Sequence, residues 1–179
     1  MVRLGLLVVV LGLPVTGLAA EPTEFVQAKV TQLTELLKKK EPADKQAPVL
    51  DELFDFAAMS EAALGSEWGP RTAAEKSEFS DLFKQHVSQQ AVKALQKTLS
   101  ASDVSYAESK GTVTLKAKVK PKAVELAFKV VEVNGALKVV DLVTDASLVS
   151  GARSQFTKII KKDGFPKLVQ TLKSKVTKG

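Results

Sequence analysis

The sequence has no cysteine, one histidine, one tryptophan and one tyrosine, and aromatic residues make up only 6% of its 179 positions. Each shortage removes a class of chemistry. Without cysteine there is no disulfide, no thiolate nucleophile and no cleavage-site lipidation, so packing alone must hold the fold. A zinc site needs three or four clustered ligands, which a single histidine and no cysteine do not supply. Ser-His-Asp catalysis would have to use His86. The ten glycines are scattered, with no phosphate-cradling loop. No aromatic-interleaved basic motif of a nucleic-acid binder occurs.

Charge and apolar content fill in what is present. Apolar residues make up 45% and charged residues 26%, the balance of a chain that folds around a core. Residues 1–19 read as a secretory signal peptide: Arg3, the apolar run Leu4 to Leu13, Pro14, then Gly17-Leu18-Ala19 with small residues at the −3 and −1 sites. The apolar run is too short for an ordinary membrane span. Cleavage is predicted after Ala19, which leaves 20–179 as one exported domain, periplasmic in a cell with two membranes. Without Arg3 the chain keeps 25 basic and 20 acidic residues, a net +5 carried mostly by lysine. Such a surface serves solubility first, and it can also meet anionic headgroups or an acidic protein partner.

Periodicity then divides the chain. Thr23 to Lys40 reads as a helix with Val26, Val30, Leu33 and Leu37 on one face and lysines in its last turn. A second helix is predicted to begin at Pro48 and to carry Val49, Leu50, Leu53, Phe54, Phe56, Ala57 and Ala58. Ser60 is the expected cap of a short helix that Gly65 ends. Trp68 follows in a loop, read as an anchor on the core. Thr72 and Glu75 then form an S/T-x-x-E capping box at the head of a long helix. Its apolar face runs through Phe79, Leu82, Phe83, His86, Val87, Ala91, Ala94 and Leu95, and it is predicted to end near Leu99. His86 on that face reads as a packed or pocket-edge residue rather than a base.

After the polar break at Ser100 to Asp103 the period changes from 3.6 to 2. Strands are predicted around Val104 and Tyr106, at Thr112 to Lys120, through Val124, Leu126, Phe128 and Val130, and at Leu137 to Thr144. Pro121 and Asn134-Gly135 make the turns. Alternation places Asp141 on the inner side with Leu137 and Val139, as an acid bonded to backbone. Two more helices follow, one capped by Asp145 or Ser147 and buried through Leu148, Ala152, Phe156, Ile159 and Ile160. The other starts at Pro166 after Gly164. The fold class is therefore α+β: a four-stranded antiparallel meander with helices packed on one face, enclosing an apolar pocket. Apolar positions outnumber what one sheet face needs, although periodicity does not separate core from pocket lining.

The order and spacing of several segments resemble one family. Leu64-Gly65-Ser66-Glu67-Trp68, Thr72-Ala73-Ala74-Glu75-Lys76 and Phe79-Ser80-Asp81-Leu82-Phe83 are similar to the L-G-x-x-W, T-x-x-(E/Q)-(R/K) and F-x-x-x-F run of MlaC, the periplasmic phospholipid-binding or toluene-tolerance auxiliary family. Asn134-Gly135 to Asp141, Ala146-Ser147-Leu148-Val149, Gln155-Phe156, Gly164-Phe165 and Leu168 to Lys173 resemble its second half. The likeness spans roughly Phe25 to Lys175. Leu137 stands where the family has Trp, Val140 where it has Tyr and Ala146 where it has Gly, departures that bear on pocket shape and lipid preference. The resemblance implies a monomeric periplasmic shuttle, neither enzyme nor metalloprotein and without cofactor. It would carry phospholipid between an outer-membrane lipoprotein complex and an inner-membrane ABC transporter with its lipid-binding ring protein. The acyl chains would lie between sheet and helices. Expected lining residues are Leu115, Val119, Leu126, Phe128 and Val139 of the strands, with Val30, Leu33, Phe54, Phe83, Val87, Phe156 and Ile160 of the helices. Alternatives are an exported binder of another apolar ligand, a ligand-free envelope docking protein, or a hydrolase built on His86 or a carboxylate pair, for which no pair stands out.

Overall fold

The structure is a computed structural model that describes residues 21–177. The signal peptide expected over residues 1–19 lies outside them. Six helices and one sheet follow in order: α1 (Pro22–Lys38), α2 (Ala43–Leu53), α3 (Phe56–Leu64), α4 (Ala73–Gln96), β1 (Val104–Ser109), β2 (Thr112–Val119), β3 (Lys122–Val133), β4 (Ala136–Val143), α5 (Leu148–Asp163) and α6 (Phe165–Thr177). The strands pair antiparallel in the order β1-β2-β3-β4, the predicted meander. Among the described residues no helix is long and apolar enough to cross a membrane.

Alternation sets the inner face of the sheet. Val113 pairs with Phe128 and Leu115 with Leu126, all buried, while Lys116 faces Glu125 on the outer side. The helices cover the inner face, and their apolar stripes join it in one continuous core. At the center of that core Phe79 and Phe83 of α4 stack at 5.6 Å, and both meet the ring of Phe156 edge-on at 5.7 Å. The capping box of α4 forms as read: Thr72 Oγ1 accepts from the Glu75 amide, and the Glu75 carboxylate accepts from the Thr72 amide.

The long helix α4 ends at Gln96 rather than near Leu99, and α5 buries Val149, Ala152 and Phe156 while Leu148, Ile159 and Ile160 are half-buried. Larger departures from the sequence reading occur at three places. First, α2 starts at Ala43 and Pro48 sits inside it. The amide that proline lacks would have bonded the carbonyl of Asp44. Both residues are exposed, which puts the break at the solvent-facing side of the helix. Second, Phe54 and Phe56 do not continue α2. Phe54 is extended and forms a parallel bridge with Val139, and the Asp55 amide donates to the Val139 carbonyl at 2.9 Å. Asp55, not Ser60, caps the next helix by accepting from the Ala58 amide at 2.9 Å. Ser60 lies buried inside α3 and donates back to the Phe56 carbonyl.

Third, β4 carries a bulge. Val130 pairs with Val139 and Lys129 with Asp141, which leaves Val140 without a partner. The extra residue reverses the alternation, so Val139 and Leu142 both face the core. Asp141 accordingly turns to the face of exposed Lys129 instead of lying inward. Its carboxylate accepts from the Ser147 hydroxyl at 2.5 Å and from the Val149 amide at 3.1 Å, tying β4 to the first turn of α5. Ser147, the cap of α5, in turn accepts from the Ser150 amide.

Candidate functional site

The expected lining residues converge. Val30, Leu33, Phe54, Phe83, Val87, Leu115, Leu126, Phe128, Val139 and Phe156 are buried in the one core, while Val119 and Ile160 are half-buried at its perimeter. What they mostly line is packed interior. Phe83 and Phe156, for instance, spend their faces on each other and on Phe79.

One surface cleft reaches the edge of the core. It has a volume of about 290 Å³ and lies between α1, the segment after α4, and strands β1 and β2. Val30 and Leu115 form its apolar floor, and Leu99, Ala101, Val104 and Tyr106 its outer wall. Val104 is 44% exposed, the one large apolar side chain among the described residues that stands out in solvent. Gln27, Thr31, Thr34, Glu35 and Lys38 supply a polar rim along α1, where Lys38 pairs with Glu35 at 3.2 Å. Burial raises the pKa of the Tyr106 phenol, so this wall is drier than open surface.

Of the twelve expected residues, Val30 and Leu115 reach this cleft. Leu99 and Ala101 were not foreseen in it. The signal was there, since both are apolar within an otherwise polar stretch, but a break between elements carries no period to read. Leu137, Val140 and Ala146, the departures from the family pattern, do not line it.

His86 stands elsewhere, half-buried on α4 with its ring 6.5 Å from that of Phe83. Burial lowers its pKa, and Lys175 and Lys93 push in the same direction. It borders a second groove, of about 610 Å³, between α4 and α6. Among the described residues no carboxylate hydrogen-bonds its ring, as a catalytic histidine's orienting partner would, and no three His, Cys, Asp or Glu side chains gather to hold a metal. Trp68 is a partly buried anchor packed on the core, with Lys76 Nζ 5.2 Å from its ring center.

Comparison with known proteins agrees with this architecture. The sequence profile of the family described as "MlaC protein" matches residues 23–174. No curated protein matches the chain by sequence. Among solved structures it is similar to a phospholipid-binding protein from Ralstonia solanacearum, determined in complex with a phospholipid. The TM-score is 0.75 at 20% identity, over 89% of this chain and 98% of that one, a likeness of fold.

Proposed function

The chain belongs to the MlaC family, and on that premise we propose that it is a non-enzymatic periplasmic carrier. It takes phospholipid acyl chains between α1 and the β1–β2 end of the sheet. It passes the lipid between an outer-membrane lipoprotein complex and an inner-membrane ABC transporter with its lipid-binding ring protein. The observation that carries this reading is the cleft, which meets the apolar core at Val30 and Leu115 and has a polar rim. The likeness to a fold that holds a phospholipid in the Ralstonia protein supports it.

Its energetics fit a carrier. Removing ~30 methylenes from water at ~0.8 kcal/mol each is worth roughly 24 kcal/mol gross. No protein converts so much into affinity. A lipid in a bilayer is already dry, so the pocket need only match a membrane, and handover needs only a small bias from docking or from the transporter. The cleft is at the lower edge of the ~300–1,000 Å³ range of ligand sites, so a two-chain lipid requires its wall to yield. Leu99, Ala101, Val104 and Tyr106 are the part that gives, because they lie outside the buried core. The headgroup stays at the rim, its phosphate near Lys38 and the threonine hydroxyls.

The test is transfer. The mature protein is loaded from phospholipid vesicles, re-isolated, and mixed with vesicles that contain the transporter complex. Lipid appearing in the acceptor supports the carrier reading; lipid that never leaves the donor contradicts it.

A further inference from the structure

The groove between α4 and α6 differs from the cleft in its lining and its charge. It shares no lining residue with it. Its charged side chains are Lys93, Lys167 and Lys175, with His86 beside them, and it contains no carboxylate. Elsewhere on the helices Lys29 pairs with Glu52, Lys38 with Glu35, Lys84 with Asp51 and Lys173 with Glu78. Lys45, Lys76, Lys158, Lys161 and Lys162 are unpaired among the described residues, so what sets the groove apart is three such lysines lining one concavity without a carboxylate. Among the described residues Lys93, Lys167 and Lys175 form no ion pair. The remaining lining is amides and hydroxyls, and one amide, Gln89, is fixed by donating to the Val176 carbonyl at 2.9 Å.

From this we infer that the α4–α6 groove is a docking site for an acidic peptide segment of a partner protein. Concavity decides against a membrane: a bilayer surface is broad and flat and cannot enter a trough between two helices, whereas a single chain can. Three lysines line that trough with no carboxylate beside them, so charge complementarity supplies both attraction and a preferred partner. The amides and hydroxyls bond the backbone of such a segment. His86 faces Lys93 and Lys175, which already disfavor its protonation, so incoming carboxylates reverse the field it feels. As the sole histidine, it reports on the groove with one resonance.

The experiment titrates the mature protein with capped hexaglutamate, following heat and the His86 ring proton by NMR. The expected result is saturable one-to-one binding that weakens with salt, with an upward shift of the His86 pKa. Affinity falls about tenfold or more in K93Q/K167Q/K175Q but less than about threefold in K120Q/K122Q/K129Q, which removes three exposed lysines elsewhere. All six are exposed; glutamine keeps helix propensity at Lys93, Lys167 and Lys175, and Lys120, Lys122 and Lys129 lie on the outer surface of the β2–β3 hairpin, so the folds persist. K175Q alone raises the His86 pKa without peptide. Equal losses in the two triple variants, unsaturable binding, or a His86 resonance that ignores the peptide would overturn the inference. So would phosphatidylglycerol vesicles that bind through these lysines when the peptide does not.

Discussion

Arg153 of α5 crosses Gly65 at the end of α3 so closely that a Cβ on Gly65 would lie 3.3 Å from its Nε, and that Nε donates to the Ala62 carbonyl at 2.6 Å. Gly65 itself has φ 56° and ψ −124°, a conformation open to glycine alone. The Gly of the L-G-x-x-W segment therefore serves both a backbone turn and the seating of α5. G65A should lower stability by about 1–3 kcal/mol. On an R153A background, which already lacks the Ala62 hydrogen bond, G65A should cost less than in the wild type but not nothing, because the crowding is relieved and the backbone strain stays. No cost of G65A on that background in a denaturant series would show that crowding alone matters.

Asp141 takes two donors at the start of α5, the Ser147 hydroxyl and the Val149 amide. D141A should cost about 1–2 kcal/mol, in the range of a lost helix cap or charged hydrogen bond. Thermal unfolding measures it. An unchanged midpoint would mean that water replaces the carboxylate at no cost.

His86 gives a pH dependence of fixed sign. The folded protein holds its proton less tightly than the unfolded chain, whose histidine titrates near the ordinary value of 6.5. As pH falls through that value the unfolded state gains a proton the folded state does not, so stability drops. The loss stops once pH passes below the folded pKa. Urea midpoints from neutral to mildly acid pH should show this fall, and H86Q should flatten it.

Phe83 and Ala101 separate core from cleft. F83A removes a ring packed on Phe79 and Phe156 and should destabilise by about 3–5 kcal/mol. A101W fills the mouth from a half-buried position. It should leave the unfolding temperature nearly unchanged while more than halving co-purified phospholipid. Full lipid content in A101W would move the binding site away from this opening.

How far the sequence could be read follows from what each signal averages over. Long elements with one environment were legible: the α4 face from Phe79 to Leu95 and the β2 alternation from Val113 to Ala117 each repeat a single burial direction. The α2–α3 boundary was not, because Phe54, Phe56 and Ala57 keep the run apolar across the Asp55 break. Asp141 was misplaced by one bulge residue, which reverses a period-2 pattern without changing composition. The cleft was hardest. Leu115 lines it and Leu126, its partner across the ladder, does not, yet both occupy identical places in the alternation. What distinguishes them is the strand each occupies: β2 lies beside β1 and under α1, whereas β3 is one strand further in.

The measurement closest to the central claim is native mass spectrometry of the protein expressed with its own signal peptide, followed by solvent extraction. A mass increment of one diacyl phospholipid, reduced in A101W, is the predicted result. A bare polypeptide mass that persists after incubation with phospholipid vesicles would contradict the carrier reading.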